Sequence, residues 1–443
     1  MSTKNVYEQR LLILGITLFI IVSIYFSQID SSLVWDEAAY LSNARGIIGT
    51  SQYREPLRFP LLEYVIAGVW TFTGESIFTA RMLVLFLSTL SILILYQIGK
   101  KLCKGWELAL ALSFGFSELV LIWGFRVYAD LVSIFFLLAA WFFYLQKKRK
   151  FYLVSGVACG AAFLARYPLI LFPLALGLTL LFQKEIKAAI LLSTGFLVAL
   201  LPWILQTFIL YGGPWNLVFE KYGMISGYTQ QQPAMLYLQW VALALAVLLP
   251  LFLLGLVKLF KEWKTQLYII LFIFFTTMFH MFFSNLKLPR YVLPILPFLL
   301  LISCWGSPLF QKIASKKFNL IPGFLFLLLM IFSLQYATEY SQNRGECFSN
   351  SSFQQAVDII NEQKEVKGHS LYVISEGHWP HIGYLNNVKS YSAWSTDYSE
   401  YTLAYGSNIL FVFKDAKEDP RLGTVAELYD SCEHSLYIYE YLN

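Results

Sequence analysis

Charged residues are scarce in this chain of 443 residues, in which Asp, Glu, Lys and Arg together make up only 14%. A typical soluble protein contains about 25% charged residues. Hydrophobic residues account for 57% of the chain and aromatic residues for 18%. A soluble fold of this composition could not cover its surface with polar groups. The composition therefore predicts an integral membrane protein, for which the bilayer is the main solvent.

Several other features are missing as well. The chain has five cysteines but no C-x-x-C pair and no histidine cluster, which argues against a structural zinc site. It contains no internal repeat and no low-complexity tract. The net charge of +5 comes from short basic clusters between apolar runs, a pattern typical of membrane proteins, so no nucleic-acid partner is expected.

Apolar runs predict about eleven transmembrane helices, three of them short for a span of about 20 residues. The first run has the length of a signal-peptide core, but no small-residue cleavage site follows it, so we interpret it as a retained span. The stretch 60–73 is interpreted as a re-entrant or surface-lying helix, because counting it as a span would put the basic clusters on the wrong side. The predicted spans are 11–27, 77–98, 107–123, 129–145, 152–165, 169–183, 188–210, 234–257, 267–283, 291–308 and 320–337.

Basic clusters occupy alternate loops between these runs. An excess of Lys and Arg in short loops marks the cytoplasmic side, which the N-terminus shares in this arrangement. The opposite loops carry fewer charges, of both signs, within segments rich in Pro and aromatic residues, and they therefore indicate a functional site. The basic clusters lie at 100–104, 147–150, 184–187, 258–264 and 312–317.

The chain becomes polar from residue 338 onward. An amphipathic stretch at 353–363 and β-rich runs at 371–375, 409–413 and 435–441 predict a small α/β domain, which an odd number of spans places outside the cytoplasm. The predicted domains are thus a transmembrane domain, 1–337, whose outer loop 28–76 contains juxtamembrane helices, and an extracytoplasmic domain, 338–443. Cys347 and Cys432 both fall in the second domain, where a disulfide is one expectation and two buried free thiols are the alternative.

The first outer loop begins with two adjacent carboxylates, Asp36 and Glu37. At a membrane face such a pair suits a general base or oxygen ligands for a divalent cation, and a helix N-cap is the alternative. The same loop ends with Arg58 among prolines. Its guanidinium suits a phosphate because it can donate two parallel hydrogen bonds, whereas extension toward lipid headgroups is the alternative.

The second outer loop carries Arg126 and Asp130, for which a simple ion pair between the two is the alternative to a functional role. Glu118 lies about one turn inside the preceding run. An acid at that depth is costly and is therefore a functional candidate, with a buried partner such as Arg126 as the alternative explanation.

Two further outer segments combine basic residues with Tyr and Pro. One contains Arg166, and the other contains Lys287, Arg290 and Tyr291. Anchoring at the membrane interface explains either segment alone. Four loops of this kind on one predicted side favour a common site.

In these residues the chain resembles glycosyltransferases of the GT-C fold, and more narrowly the group of protein mannosyltransferases and aminoarabinose transferases. The acidic pair fits the first outer loop of that family. Residues 58–62 fit its Lys-Pro-Pro-Leu-Leu segment, with Arg in place of Lys and Phe in place of the first Pro. Asp130 fits the acid of its second outer loop.

Three further segments extend the resemblance over most of residues 10–310. Residues 74–81 follow the family's Gly-x-x-x-x-x-x-Arg pattern. Residues 156–168 resemble its Gly-rich span that ends in Thr-Lys or Thr-Arg-Tyr-Pro, with Ala165 in place of Thr. Residues 287–297 resemble its Arg-Tyr-x-x-Pro-x-x-Pro segment. The Trp-Trp-Asp signature of oligosaccharyltransferases is absent from the sequence, which argues against that branch.

The resemblance implies an inverting transfer of a sugar from a polyprenyl-phosphate donor, of which dolichyl phosphate mannose is one kind, to an acceptor hydroxyl at the outer membrane face. Asp36 would accept the proton of that hydroxyl, and Glu37 and Asp130 would orient the base or the acceptor. Arg58, with Arg126 or Arg290, would stabilise the charge on the departing phosphate. The substrate-binding candidates are Arg58, Glu118, Arg126, Arg166, Lys287, Arg290 and Tyr291.

The partners expected from the resemblance are membrane lipid, the polyprenyl-phosphate-linked sugar and a protein, lipid or glycan acceptor. No cofactor is assigned with certainty. A divalent cation, Mg²⁺ or Mn²⁺, stays open, with Asp36, Glu37 and Asp130 as its candidate ligands.

The competing functional class is a lipid or sugar transporter, or flippase, that performs no chemistry. Such a protein should carry polar residues deep in many spans and a counterpart site on the cytoplasmic side. The predicted spans are nearly free of charge, and the cytoplasmic loops hold mostly lysine, which favours the enzyme. A sugar-chain polymerase or ligase of another fold is a third class.

Overall fold

The fold is given by a computed structural model, which describes residues 3–30, 33, 35–51, 58–213, 231–313, 320–349, 352–367, 371–376, 379–393, 397–405, 408–429 and 435–442. The chain divides into two compact units. Unit 1 comprises Met1–Tyr25, Phe59–Leu62 and Met82–Thr338. Unit 2 comprises Phe26–Arg58, Glu63–Arg81 and Glu339–Asn443.

The apolar part of the chain is α-helical, as its composition predicts, because in a bilayer a helix satisfies its backbone polar groups internally. Short 3₁₀ helices lie at Tyr167–Ile170, Ala246–Leu248 and Pro289–Val292, and a π-helix lies at Phe279–Phe283. The α-helices are α1 Thr3–Ile29, α2 Trp35–Ile48, α3 Leu61–Thr73, α4 Ile77–Leu102, α5 Glu107–Gly115, α6 Glu118–Trp123, α7 Ala129–Tyr144, α8 Arg149–Ala165, α9 Leu171–Phe182, α10 Ile186–Tyr211, α11 Met235–Leu245, α12 Leu249–Lys261, α13 Leu267–Met278, α14 Leu296–Ile313 and α15 Ile321–Ser349.

The membrane character of the chain is confirmed by five helical segments that are each long and apolar enough to cross a bilayer. Each of the eleven predicted runs overlaps helical residues. Several of these helices are shorter than a span, and the run 107–123 is interrupted between α5 and α6, so the count of about eleven spans stays a prediction. The five segments are Val6–Ile29, Ile77–Leu102, Ile186–Ile209, Met235–Lys261 and Ile321–Asn343.

Helices α8 and α10 of unit 1 pack in direct backbone contact at glycines. A Cβ atom added to Gly156 would lie 2.0 Å from the carbonyl oxygen of Leu192, and one added to Gly195 would lie 2.1 Å from that of Leu153. Glycine is required at both positions because any larger residue would push the backbones apart. Small residues at such crossings are typical of helix packing in membranes, where close van der Waals contact drives association.

The polar tail of unit 2 forms a five-stranded sheet with three helices, α16 Ser352–Lys367, α17 Trp379–Asn386 and α18 Ser399–Tyr405. The strand order is β2-β1-β3-β5-β4. Strand β1 pairs in parallel with β2 and β3, while β5 pairs antiparallel with β3 and β4. The strands are β1 Tyr372–Ser375, β2 Lys389–Ser392, β3 Ile409–Phe413, β4 Leu422–Tyr429 and β5 Ser435–Tyr441.

The central strand β3 is buried along its whole length, as its continuous apolar sequence predicts for a strand covered on both faces. Leu410 and Val412 pack with α16 and α17 in one core, and Phe411 packs with Tyr398 and Tyr401 in the other. The sequence predicted the three inner strands but missed β2 and β4. Both missed strands lie at the edges of the sheet, where a sequence of continuous apolar character is not required.

The proposed disulfide lies outside the described side chains. Cys432 falls between the described ranges, and only the backbone of Cys347 is described, within α15. The pairing therefore stays a prediction. Cys103, Cys159 and Cys304 are buried free thiols.

Candidate active site

Asp36 and Arg58 form an ion pair in unit 2. The Arg58 Nη2 atom lies 2.8 Å from Asp36 Oδ1, and both side chains keep part of their surface exposed. The guanidinium also lies over the ring of Trp35, at 4.7 Å, and over the ring of Tyr40, at 5.3 Å. Asp36 occupies the first turn of α2, where the partial positive charge of the helix N-terminus favours a carboxylate. The structure thus brings together the two residues proposed as base and phosphate ligand.

Glu37 has a different environment from its neighbour, because successive residues of a helix point about 100° apart. It is fully buried and forms a two-point ion pair with Arg81, with Nε–Oε1 and Nη2–Oε2 distances of 3.1 Å. Arg81 also donates to the carbonyl oxygen of Asp30, at 3.2 Å. This geometry ties α2 to the start of α4 within unit 2. It suits a positioning role for Glu37 better than contact with a substrate.

Helix α2 is also held by polar contacts to other parts of unit 2. Asn43 donates to Glu63 of α3 at 2.5 Å in a buried contact. Arg45, in the last turn of α2, pairs with Glu75 at 2.7 Å and donates to the carbonyl oxygen of Tyr384 in α17 at 2.6 Å. The helix that carries Asp36 is thus fixed at several points, including one in the tail domain.

The Tyr384 ring in turn contacts Arg45, whose guanidinium lies 4.0 Å from its centroid. Burial raises the pKa of the Tyr384 hydroxyl, a shift that the nearby Arg45 partly offsets. Tyr384 is therefore an uncharged partner for Arg45 at neutral pH.

Asp130 and Arg166 form an ion pair in unit 1, although the sequence offered Arg126 as the partner of Asp130. Asp130 is almost fully buried at the start of α7, and the Arg166 Nη1 atom binds its Oδ1. Arg166 directly follows α8, and its guanidinium also lies over the ring of Tyr291, at 5.0 Å. One cluster in unit 1 therefore combines residues of the second outer loop with residues of the segments around 166 and 291.

Arg290 extends this cluster through aromatic contacts. Its guanidinium lies 4.6 Å from the ring centroid of Tyr128 and 5.4 Å from that of Trp123. Tyr291 stacks on His280 at 4.8 Å, and His280 stacks on Tyr237 at 5.2 Å. The cluster is therefore a layer of arginines and aromatic rings, an arrangement that suits binding of a charged headgroup.

The other unit 1 candidates occupy distinct positions. Lys287 is buried, and its Nζ atom donates to the carbonyl oxygen of Ser284. Burial lowers the pKa of this ammonium group. Arg126 is also buried, beside the ring of Phe125. Glu118 is half-buried and begins α6 after a break in the helix, so it is not part of a continuous span as the sequence suggested.

The described residues contain no group of three or more His, Cys, Asp or Glu side chains arranged for a metal ion. Asp36, Glu37 and Asp130 are instead engaged by arginines. Nothing in these contacts favours one of the three as a cation ligand.

Two residues of these clusters were missed in the sequence as functional candidates. Arg81 was noted only as part of a Gly-x-x-x-x-x-x-Arg pattern, although an arginine next to a long apolar run is itself a signal of a buried ion pair. His280 was missed because a single histidine in an apolar run carries no pattern. The π-helix that contains it is visible only in three dimensions, and such helices occur frequently at functional sites.

Comparison with known proteins agrees with these observations. Residues 55–208 match the family of dolichyl-phosphate-mannose-protein mannosyltransferases. An undecaprenyl phosphate-alpha-4-amino-4-deoxy-L-arabinose arabinosyl transferase of Yersinia pestis is 25% identical over 341 residues, which cover 69% of this chain and 61% of the relative. A corresponding transferase of Sodalis glossinidius is 27% identical over 346 residues, which cover 70% of this chain and 62% of the relative. The match thus spans less than two thirds of the length of these relatives.

Solved structures show the same fold at low sequence identity. ArnT from Cupriavidus metallidurans in the apo state has a TM-score of 0.69 at 12% identity, over 99% of this chain and 98% of that chain. The same protein bound to undecaprenyl phosphate has a TM-score of 0.64, over 96% and 97% of the two chains. The Archaeoglobus fulgidus oligosaccharyltransferase, in a complex with Zn and sulfate, has a TM-score of 0.54, over 97% of this chain and 73% of that chain.

The family match, the curated relatives and the structural likeness agree with one another. The expected resemblance is confirmed: this integral membrane protein has the fold of the GT-C glycosyltransferases, and its relatives lie in the aminoarabinose transferase and protein mannosyltransferase group.

Proposed function

We propose that this protein is an inverting glycosyltransferase that moves a sugar from a polyprenyl-phosphate donor to an acceptor hydroxyl at the outer face of the membrane. The observation that carries the proposal is the Asp36–Arg58 ion pair, formed by two residues that fit the motifs of the family. The Yersinia and Sodalis relatives are named for a donor linked to undecaprenyl phosphate, which supports a donor of this class. The acceptor is a protein, lipid or glycan.

In the proposed mechanism, Asp36 accepts the proton of the acceptor hydroxyl as its oxygen attacks the anomeric carbon. Attack from the side opposite the phosphate inverts that carbon. Arg58 stabilises the negative charge that grows on the departing phosphate, since a guanidinium offers five N–H donors in a planar fork. Glu37 positions α2 through Arg81, which keeps the neighbouring Asp36 in place.

The unit 1 candidates complete the proposal with binding roles. Asp130 orients Arg166 through their ion pair. Arg290, which lies against Tyr128 and Tyr291, binds the anionic headgroup of the donor. We place residues 1–337 in the transmembrane domain and residues 338–443 outside the cytoplasm. The experiment described below also measures whether transfer requires Mg²⁺ or Mn²⁺.

The test uses purified protein in detergent with a panel of undecaprenyl-phosphate sugars, among them 4-amino-4-deoxy-L-arabinose and mannose. Transfer of radiolabelled sugar to acceptors in a membrane extract is measured. Asp36→Asn keeps the size and most hydrogen bonds but removes the basic carboxylate, so turnover should fall at least about a hundredfold. Asp358→Asn, at an exposed position of α16, is the matched control and should retain full activity.

Arg58 provides the second arm of this test. Arg58→Ala should weaken use of the donor, and Arg58→Lys should recover part of it, because the family itself has Lys at this position. Near-normal transfer by a well-folded Asp36→Asn protein would refute the base assignment. Recovery of that variant by added Mg²⁺ or Mn²⁺ would make Asp36 a cation ligand instead. The absence of transfer from every donor by the wild-type protein would refute the proposed activity.

A further inference from the structure

A cavity of about 460 Å³ lies in unit 1 where α4, α12 and α14 end, and none of the residues proposed for catalysis lines it. Its volume falls in the range of small-ligand sites, about 300–1,000 Å³. Its lining combines five lysines with two tryptophans and several apolar side chains. We call it the lysine cavity, and its lysines are Lys101, Lys104, Lys258, Lys261 and Lys312.

The lysines give this cavity a strong positive charge. Glu262 is the one acidic residue in its lining. Lysine near a helix C-terminus also compensates the helix dipole, which is the simplest explanation for each lysine taken alone. Helices α7, α8, α9 and α10, however, have no basic residue in their last turn, whereas α4, α12 and α14 all do. Dipole compensation and the excess of lysine on the predicted cytoplasmic side account for each lysine by itself, whereas it is the fold that brings three lysine-bearing helix ends to one cavity.

The walls of the lysine cavity are held in place by close packing. Helices α12 and α14 cross in backbone contact, since a Cβ atom at Gly255 would lie 1.7 Å from the carbonyl oxygen of Ile302. Trp305 is fixed by a hydrogen bond from Nε1 to the carbonyl oxygen of Leu102, at 2.8 Å. The half-buried Lys258 lies over its ring, at 5.1 Å. The cavity is therefore preformed, which reduces the entropic cost of binding a ligand.

The surroundings favour a lipid over a soluble anion. Val257 lines the cavity and keeps 44% of its surface exposed, and the nearby Phe260 keeps 63% exposed. In a membrane protein such apolar surface contacts acyl chains. Tryptophan is enriched at the level of the lipid headgroups, and Trp106 and Trp305 both line this cavity. Basic pockets between transmembrane helices on one membrane side are a recurring form of headgroup site.

We propose that the lysine cavity binds the phosphate headgroup of an anionic glycerophospholipid. The lysines neutralise the phosphate, Trp305 lies at the level of the headgroup, and the acyl chains lie against the exposed apolar side chains beside α12. This proposal rests on the membrane character of the chain and is independent of the proposed glycosyltransferase activity.

The test is native mass spectrometry of the full-length protein in a non-ionic detergent. The protein is titrated with phosphatidylglycerol, with phosphatidylcholine of identical acyl chains, and with inorganic phosphate. One phosphatidylglycerol should bind, and the triple variant Lys258→Gln, Lys261→Gln, Lys312→Gln should bind it at least about tenfold more weakly, since each of these lysines attracts the anionic headgroup. The matched control is Lys148→Gln, Lys150→Gln, Lys187→Gln, which removes the same charge outside the cavity and should leave binding unchanged.

Each of the following outcomes would overturn the proposal. If the control variant binds phosphatidylglycerol as weakly as the triple variant does, the lipid is attracted by general surface charge and not by the cavity. Equal binding of phosphatidylcholine would show that the headgroup charge is not recognised. Displacement of phosphatidylglycerol by the same concentration of inorganic phosphate would assign the cavity to a soluble anion. If the triple variant does not stay monodisperse, the single substitutions Lys261→Gln and Lys312→Gln, both at exposed positions, are compared with Lys148→Gln. Affinities for phosphatidylglycerol equal to that of Lys148→Gln would reject the cavity as its binding site.

Discussion

Asp36 and Glu37 are adjacent and chemically alike, yet their surroundings separate their roles. Asp36 stays partly exposed beside Arg58. Glu37 is fully buried against Arg81. A buried carboxylate is stabilised only while its partner is present, because removing the charge from water is costly. The pair therefore makes α2 rigid next to the proposed base.

This arrangement predicts the effect of removing Arg81. Arg81→Met leaves the Glu37 charge buried without that partner and should destabilise the protein by about 3–5 kcal/mol. The double variant Arg81→Met, Glu37→Leu removes both charges and should recover most of this loss. Thermal unfolding in detergent measures both effects. The double variant also separates the two roles of Glu37, since a folded but inactive protein would indicate a direct part in catalysis.

The control for this prediction is an ion pair at the surface of the tail domain. Lys367 pairs with Glu440 at 3.0 Å, and both side chains are partly exposed. Lys367→Met should therefore change stability by no more than about 1 kcal/mol. A loss for Arg81→Met as small as this would contradict the interpretation of the buried pair.

Glycines decide the packing of the helices in unit 1. Gly156 and Gly195 allow α8 and α10 to touch, and Gly255 and Gly306 do the same for α12 and α14. In each case the added Cβ would meet a backbone carbonyl, which cannot move away as a flexible side chain can. The close approach of these helices therefore depends on the absence of a side chain at these glycines.

A pair of glycine substitutions tests this dependence. Gly156→Ala should lower the melting temperature and the yield of folded protein, because its Cβ would overlap the Leu192 carbonyl oxygen. Gly177→Ala is the matched control in α9, with no heavy atom within 4 Å of the added Cβ. Alanine favours a helix over glycine by about 1 kcal/mol, so the control should be neutral or slightly stabilising. Equal melting temperatures for the two variants would argue against the close crossing.

The topology of the whole chain is a prediction that the basic clusters support. A cysteine at Lys148 should be labelled only from the cytoplasmic side. The second labelled cysteine must lie at an exposed position of the tail domain. Ser375 is buried in β1, whereas Glu365 on α16 is exposed. A cysteine at Glu365 should react with an impermeant reagent from outside, measured against protein without the added cysteine. Labelling of both positions from one side would contradict the eleven-span arrangement.

The tail domain carries one further prediction at this scale. A disulfide between Cys347 and Cys432 would close about 85 residues and contribute roughly 4 kcal/mol by restricting the unfolded chain. Mass spectrometry of non-reduced digests should then find the two cysteines in one linked peptide. Free thiols at both positions would reject the pairing.

The helices and the inner strands could be predicted from the sequence because their signal is local. An apolar run such as that of α10 or β3 must be buried or lipid-facing wherever it lies in the fold. The sequence did not predict β2 and β4, whose residues are more polar at the sheet edges. It also assigned Arg126 as the possible partner of Asp130 from proximity in the loop, whereas Arg166 supplies the contact from the end of α8.

The sequence by itself determined that the chain is a membrane protein with a polar α/β tail, and it named Asp36 and Arg58 through their motifs. Composition suffices for the membrane character because the residues of a span are apolar whether they face lipid or neighbouring helices, whereas the two site residues were named through the resemblance. Only the tertiary structure decided that Glu37 pairs with Arg81, 44 residues away, and that three lysine-bearing helix ends meet at one cavity. Such contacts depend on which helix faces meet, and that is set by packing at residues distant in the chain.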